Sequence, residues 1–229
     1  TPVIVVHLSS AEGYREIQRA RDEGQTVYVE TCPQYLLMDD SKYSLPDGEG
    51  RKYMIAPPLR RKKNQEVLWK ALTEGRIQTI CTDHCSFNLE QKSAGIEDFS
   101  LTPCGMPGAE ERPGLIYQFG VNEGRITIEQ MCKYLSENPA KLYHMYPQKG
   151  TLSPGSDADI VVWNPDTEWI LSKESQQTNI DYCPMEGTKI KGRAEKVFLR
   201  GRLIAENGEI KIENAGQYIK HGVTKEADN

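Results

Sequence analysis

The sequence predicts an α/β fold with a parallel sheet, followed by a smaller unit of antiparallel strands. Up to about residue 148, apolar strand-like runs alternate with amphipathic helical segments, the order expected when helices connect parallel strands. After Gly150 the pattern changes to short apolar runs separated by turn signals such as Asn207-Gly208, which favour hairpins. We therefore predict three segments: an α/β unit over 1–148, a small antiparallel β domain over 149–215 and a tail or arm over 216–229.

The α/β unit is predicted to begin with a strand over residues 3–7. Ser9 and Glu12 have the spacing of a capping box for the helix that follows, and Gly24 is suited to end that helix. Apolar runs predict two further strands, at 27–31 and 77–82. Helical periodicity and capping residues predict the other helices near 64–74, 111–122, 128–136 and 139–145.

The rest of the chain consists of two long loops and the β domain. The loops cover about 33–62 and 86–109, and loops of that length inside a compact domain tend to be functional. In the β domain, Asn164-Pro165 and Arg200-Gly201 are further turn signals. The predicted short strands between the turns are 159–163, 169–171, 196–199 and 202–205.

Composition argues against several classes of function. With a net charge of −5 and no basic cluster interleaved with aromatic residues, the chain does not resemble a nucleic-acid-binding protein. No apolar stretch approaches the roughly 20 residues that cross a bilayer, and no secretory signal is visible. The six cysteines are scattered without paired spacing, which predicts free thiols in a reduced, cytoplasmic protein.

Two predicted strands end directly in residues that can bind metal. The run Val3-Ile4-Val5-Val6 leads into His7, and a second apolar run leads into Asp83. Because the carboxyl ends of parallel strands share one edge of a sheet, both side chains are expected at the same face. Neutral imidazole and carboxylate are common zinc ligands, although a catalytic zinc takes about three protein ligands. A histidine that makes only structural hydrogen bonds remains the alternative interpretation of His7.

The other candidate groups are weaker. His84 follows Asp83 directly, whereas His144 lies in a predicted packed helix and His221 in the tail. A thiol nucleophile at Cys85 beside His84 is disfavoured, because adjacent residues of a strand point to opposite faces. The chain has no nucleophile elbow, phosphate-binding loop or dinucleotide fingerprint.

Eight short motifs resemble those of one enzyme family, in the same order along almost the whole chain. The first four are Val-Val-His-Leu-Ser-Ser (5–10), Glu-Thr-Cys-Pro-Gln-Tyr-Leu (30–36), Ala-Pro-Pro-Leu-Arg (56–60) and Asn-Gln-Glu-Val-Leu-Trp (64–69). The others are Thr-Asp-His-Cys-Ser-Phe (82–87), Glu-Glu-Arg (110–112), Asn-Pro-Ala-Lys-Leu (138–142) and Gly-Ser-Asp-Ala-Asp-Ile-Val (155–161). The chain thus resembles D-hydantoinases and dihydropyrimidinases, which are cyclic amidohydrolases. Gln34 favours this group over allantoinases and dihydroorotases, which tend to have histidine there.

The resemblance implies the carboxyl-terminal part of a (β/α)₈ TIM-type barrel, strands six to eight, followed by a small β-sandwich domain. His7 matches a ligand of the more exposed metal of a binuclear zinc site. Asp83 matches a ligand of the more buried metal and the general acid and base. In that mechanism a bridging hydroxide attacks the ring carbonyl, and Asp83 transfers its proton to the leaving amide nitrogen, which yields an N-carbamoyl amino acid.

The resemblance also implies a substrate site and an assembly. Backbone groups of two loops hold the small cyclic amide in this family, and they match Ala56 and Cys104, where relatives often have serine and asparagine. We therefore expect these positions to affect substrate preference rather than chemistry. Residues 217–220 resemble an inter-subunit arm, so a homo-oligomer, the family's tetramer, is expected, with neither nucleic acid nor membrane as a partner.

Family chains are about twice as long, and this sequence starts at the motif of barrel strand six. The strand-one His-x-His pair, the carboxylated lysine, the strand-five histidine and the oxyanion tyrosine have no match here. Because a closed barrel needs about 250 residues and eight strands, we expect the isolated chain to be inactive. Two alternatives stay open: a non-catalytic dihydropyrimidinase-like scaffold, and an independent binding domain of this length.

Overall fold

The computed structural model describes residues 1–220 and contains two separate sheets. The first sheet has three parallel strands in the order β1-β2-β3. These strands are β1 (Val3–Val5), β2 (Val27–Thr31) and β3 (Thr79–Ile80). The predicted parallel arrangement is confirmed, with all three carboxyl ends at one edge. β1 and β3 are shorter than predicted because the chain leaves the ladder shortly before His7 and Asp83.

Helices connect and cover these strands. They are α1 (Ala11–Asp22), α2 (Pro33–Leu37), α3 (Lys63–Thr73), α4 (Leu89–Lys92), α5 (Arg112–Ile116), α6 (Ile128–Cys132) and α7 (Asn138–Leu142). Helix α5 continues with π-helical hydrogen bonding over Tyr117–Asn122, and α6 does so over Lys133–Glu137. The predicted helices are therefore confirmed in position, while the widened hydrogen-bond pattern was not predicted. The loop predicted at 33–62 contains α2 and two short 3₁₀ turns, Asp40–Ser44 and Glu49–Tyr53.

Polar side chains determine where two of these helices begin. Ser10, rather than the predicted Ser9, caps α1, because its hydroxyl accepts a hydrogen bond from the amide of Gly13 at 3.0 Å. Ser9 is buried instead. Thr127 and Gln130 form the predicted capping box of α6, each side chain accepting from the other residue's backbone amide.

The main core lies between the parallel sheet and the helices. Val29 of β2 and Ile80 of β3 are almost completely buried, as are Leu68 and Leu72 of α3. Each such side chain stabilises the fold by roughly 1.5–3 kcal/mol relative to exposure. Trp69 also belongs to this core, and its indole N–H donates to the carbonyl of Leu36 at 3.1 Å, which joins α3 to α2.

The second sheet has four antiparallel strands, β4 (Ile160–Ile170), β5 (Lys189–Leu199), β6 (Arg202–Glu206) and β7 (Glu209–Ile210). The predicted turns at Arg200-Gly201 and Asn207-Gly208 are confirmed, and all four residues have the positive φ that tight hairpins require. The predicted turn at Asn164-Pro165 is wrong. β4 runs through it as one strand, and a shift of register between Asn164 and Glu168 lets the ladder pass the proline.

Close contacts join the second sheet to α5 and its π-helical extension. Gly192 of β5 has φ +106°, and a Cβ at this position would lie 2.4 Å from the ring of Tyr117. The rings of Tyr117 and Trp163 are 5.0 Å apart between centroids. The indole N–H of Trp169 donates to the Gly192 carbonyl at 3.2 Å. The absence of a side chain on Gly192 therefore leaves room for the rings of Tyr117 and Trp163.

Three parallel strands and one antiparallel sheet account for the strands in residues 1–220. A closed (β/α)₈ barrel has eight strands, and a sandwich has two facing sheets. The assignment to barrel strands six to eight and to a β-sandwich domain thus stays a prediction. In this same part of the chain, no helix combines the length and the apolar character that a membrane crossing requires.

Candidate metal and substrate site

His7 lies just beyond the end of β1, in a tightly held turn. Its φ of +41° is unusual for a residue with a side chain. The next residue, Leu8, is buried and bonded to β2 on both sides. Its amide donates to the Glu30 carbonyl at 2.7 Å, and the Thr31 hydroxyl donates to its carbonyl at 2.8 Å. These bonds keep the His7 backbone in the left-handed region, beside the carboxyl end of β2.

Asp83 occupies the corresponding position after β3, and it also has a left-handed backbone, with φ +49°. Two long side chains hold the segment that leads to it. The amide group of Gln34 donates to the Thr82 carbonyl at 2.9 Å, and the guanidinium of Arg112 donates to the Ile80 carbonyl at 3.0 Å. Gln34 is buried, whereas Asp83 itself is exposed.

The structure therefore brings both predicted ligands to the same end of the sheet, where the carboxyl ends of the strands lie, and β2 lies between them. Positive φ in residues other than glycine costs about 1–3 kcal/mol and is concentrated at functional sites. The sequence offered no sign of this strain, because neither residue type demands it. Five other non-glycine residues among 1–220 also have positive φ, so what sets His7 and Asp83 apart is that each lies just beyond the end of a parallel strand.

The donor types at this edge fit zinc, but their number is too small for a complete site. One imidazole and one carboxylate are suitable ligands, whereas a catalytic zinc takes about three protein ligands. Within residues 1–220, no group of three or more histidine, cysteine or acidic residues is arranged to hold a metal ion. His7 and Asp83 can therefore supply part of a metal site, and further ligands have to come from elsewhere.

Neighbouring thiols are poor candidates for these ligands. Cys32 directly follows β2 and Cys81 directly follows β3, and their sulfurs are 3.2 Å apart although the residues are distant in the sequence. This hydrogen bond, together with burial, raises the pKa of Cys32, so the thiolate that would bind metal is disfavoured. Burial likewise raises the pKa of Cys85, which agrees with the expectation that it is not a nucleophile.

His84 has a structural role. Its Nδ1 accepts hydrogen bonds from the amides of Gly108 and Ala109, both at 3.2 Å. Because Nδ1 acts as the acceptor, the proton of a neutral ring lies on Nε2. His84 also forms an isolated parallel bridge with Met106. The side chain next to Asp83 therefore ties the loop after α4 to the end of β3.

The two predicted substrate residues, Ala56 and Cys104, are both exposed and lie on adjoining loops. The amide of Gly105 donates to the Met54 carbonyl at 2.9 Å, so the two loops are in direct contact. The Tyr35 hydroxyl donates to the carbonyl of Pro57 at 2.8 Å. Sequence reasoning did not assign roles to Gln34, Arg112 or Tyr35, although all three stand in motifs that carried the resemblance.

Comparison with known proteins places this arrangement in a family. A family model described as "Amidohydrolase family" matches residues 4–204. A D-hydantoinase of Rhizobium radiobacter is 44% identical over 90% of this chain and 45% of its own length. The crystal structure of a D-hydantoinase from Bacillus sp. AR9 matches 99% of this chain and 50% of its own, with 44% identity and a TM-score of 0.96.

A dihydropyrimidinase from Brevibacillus agri NCHU1002 is also similar, with 43% identity, a TM-score of 0.90 and coverage of 92% of this chain and 46% of its own. This chain thus spans about half the length of the relatives that it matches. The match of the family model extends from β1 into β6, and it includes His7, Asp83 and the loops of Ala56 and Cys104. On this sequence and structural similarity, the chain belongs to the amidohydrolase family.

Proposed function

We propose that this chain is part of a zinc-dependent cyclic amidohydrolase that opens hydantoin or dihydropyrimidine rings to N-carbamoyl amino acids. The observation that supports the proposal most strongly is the pairing of His7 and Asp83. Both follow parallel strands, both have a strained left-handed backbone and both lie at one sheet edge. A non-catalytic scaffold would not require a metal-binding side chain at either position.

His7 and Asp83 would hold metal through an imidazole nitrogen and a carboxylate oxygen. Bound zinc would supply Lewis-acid polarisation of the ring carbonyl and a water of lowered pKa. Asp83 accepts a proton as the water oxygen bonds to the carbonyl carbon. It then delivers that proton to the ring nitrogen as the carbon–nitrogen bond breaks. The product is a single open-chain molecule. The attacked carbonyl has become its carboxylate, and the two ring nitrogens now belong to its ureido group.

The ring would lie between the loops of Ala56 and Cys104, where backbone groups bind it. Because backbone atoms make these contacts, the identities of the two side chains affect which ring substituents fit. We further propose that units 1–148 and 149–215 are the barrel part and the smaller domain. Residues 216–229 would be an arm in a tetramer; of these, 221–229 lie outside the described residues, and Tyr218 is 88% exposed.

The chain alone supplies too few metal ligands. We therefore propose that it is inactive unless it is joined to the segment that its longer relatives have in addition. The test joins this chain behind the amino-terminal half of the Bacillus sp. AR9 D-hydantoinase, and we call this product the completed protein. We expect the completed protein to bind zinc and to open hydantoin and dihydrouracil. We expect the 229-residue chain alone to do neither. Metal per chain is measured by elemental mass spectrometry, and ring opening by loss of ring absorbance.

In the completed protein, Asp83→Asn should reduce kcat by at least about 100-fold, because the amide cannot relay a proton. His7→Ala should lower the zinc content per chain. The matched control is Cys85→Ser, which changes a residue beside the site without removing a proposed ligand or base, and it should leave kcat within about twofold. Normal turnover by the Asp83→Asn variant would refute the mechanism, and complete loss in Cys85→Ser would restore the thiol hypothesis.

A further inference from the structure

Lys92, the last residue of α4, is a fully buried lysine outside the metal-binding edge. Its helix is firmly anchored at the start. Asn88 and Gln91 form a capping box, and the amide of Leu89 donates to the carboxylate of Asp181 at 2.9 Å. Lysine is almost never fully buried unless its ammonium is paired. The position of Lys92 therefore requires a specific explanation.

Three backbone carbonyls surround the Lys92 ammonium. Nζ donates to the carbonyl oxygens of Met54 at 3.0 Å, Pro103 at 2.6 Å and Gly105 at 2.5 Å. An ammonium has three donors and no acceptor, so these bonds use its full capacity. The ring of Phe87 adds a cation–π contact at 5.7 Å from its centroid.

The surroundings of Lys92 indicate that it positions the backbone around it more than it stabilises the fold. Burial lowers the pKa of Lys92 to about 8, and the thiols of Cys104 and Cys85 oppose this shift only partly. Removing an ammonium from water is costly, and neutral carbonyls merely offset that cost. An apolar side chain would fill the same space without this penalty. A role in holding the three carbonyls at set positions accounts for the charge.

The three carbonyls belong to the two loops that are proposed to hold the substrate. Met54 lies two residues before Ala56, and Pro103 and Gly105 flank Cys104. The same ammonium therefore holds both loops through hydrogen bonds to their backbone carbonyls. One further bond, from the Gly105 amide to the Met54 carbonyl, joins the loops directly.

The clamped loops are also coupled to the segment after Asp83. The amide of Cys85 donates to the Met106 carbonyl at 3.1 Å. A Cβ on Gly105, which has φ +128°, would lie 2.4 Å from the side chain of Cys85, so the two backbones approach as closely as glycine permits. Continuous short contacts thus run from Asp83 through residues 105–106 to Lys92 and residue 54.

We propose that Lys92 is a positioning residue. Its ammonium holds the backbone of residues 54–56 and 103–105 at the spacing that receives a cyclic amide beside Asp83. This inference rests on the proposed function. Lys92 does not touch the reacting atoms. Its loss should therefore weaken substrate binding while the metal ligands stay in place.

The test uses Lys92→Met, which keeps the length of the side chain but removes all three donors. The matched control is Lys173→Met, because Nζ of Lys173 also donates to a backbone carbonyl, that of Thr178 at 2.7 Å, far along the chain in the β-rich part. In the completed protein, Lys92→Met should raise KM for dihydrouracil at least about tenfold, because the loops proposed to bind the substrate lose three hydrogen bonds to a charged group. Both kcat and zinc per chain should change by less than about threefold, and Lys173→Met should change neither KM nor kcat.

A second measurement does not depend on activity. Hydrogen exchange of the 229-residue chain should speed up at least about tenfold in peptides that contain residues 54–56 and 103–105 of Lys92→Met, and not in those of Lys173→Met. If the unsubstituted completed protein binds zinc but opens no ring, the proposed function fails, and exchange in the 229-residue chain alone decides whether Lys92 holds the loops. Unchanged exchange in Lys92→Met, or an unchanged KM in an active protein, would overturn the proposal.

Discussion

At the scale of single residues, the candidate site is shaped by side chains that hydrogen-bond to the backbone that leads to Asp83. Gln34 is a clear case, because its buried amide group donates to the carbonyl immediately before Asp83. The sequence marked Gln34 only as a residue that separates hydantoinases from related families. The structure supplies a physical reason for a polar residue there, namely the need to bond the Thr82 carbonyl.

Gln34→Ala should therefore impair the site through Asp83. The substitution leaves the Thr82 carbonyl without its partner, a loss of about 1–3 kcal/mol if no water replaces it. We expect kcat of the completed protein to fall about tenfold, with less zinc retained per chain. The matched control is Gln118→Ala, since the Gln118 side chain also bonds backbone, accepting from the Lys191 amide at 2.9 Å, but lies away from the site. Equal losses of kcat in both variants would contradict a specific effect on Asp83.

At the scale of secondary structure, local signals were reliable where a side chain acts on its own helix or turn. The capping box of α6 and the hairpin turns at Arg200-Gly201 and Asn207-Gly208 formed as predicted. The first cap lies at Ser10 rather than Ser9, and a distant residue also takes part there: the side-chain oxygen of Asn64 in α3 accepts from the amide of Ala11 at 2.9 Å. A spacing rule cannot anticipate a partner contributed by another helix.

The α6 cap gives a direct test of this local reasoning. Thr127→Ala removes the oxygen that accepts from the Gln130 amide, and it should lower the free energy of unfolding by about 1 kcal/mol. Thr127→Ser keeps that oxygen and should lower it by less than about 0.5 kcal/mol. Urea unfolding of the completed protein, followed by circular dichroism, measures both changes. A neutral Thr127→Ala variant would show that packing alone determines where α6 begins.

At the scale of the whole molecule, β1 is an edge strand of the parallel sheet within the described residues. Val3 in this strand is 52% exposed, and nearby Val6 is 43% exposed. An uncovered strand edge with apolar side chains favours association with another chain. The same edge would accept the next strand if the chain is part of a larger barrel.

We therefore expect the 229-residue chain on its own to self-associate through β1. Sedimentation velocity at increasing concentration should show species heavier than the 25.9 kDa monomer. Val3→Lys, which places a charge on the edge, should shift the distribution toward monomer. The matched control is Ile128→Lys in α6, where the side chain is 42% exposed but away from any strand edge, and it should not. A chain that stays monomeric at all concentrations would favour an independent domain.

The sequence by itself determined the order of strands and helices, the parallel and antiparallel parts, and the placement of His7 and Asp83 at strand ends. These features depend on residue periodicity and turn chemistry, which act over a few neighbouring residues. Ordered motifs additionally identified the family, which the comparisons confirm.

Tertiary structure alone decided which distant groups meet. It paired the sulfurs of Cys32 and Cys81, merged two predicted strands into β4, and gave His7 and Asp83 their left-handed backbone. It also brought three carbonyls from two loops onto Lys92, a residue that looks like an ordinary surface lysine in the sequence. The physical reason is that such contacts depend on how whole elements pack, and a buried ammonium reveals its role only through the partners that packing provides.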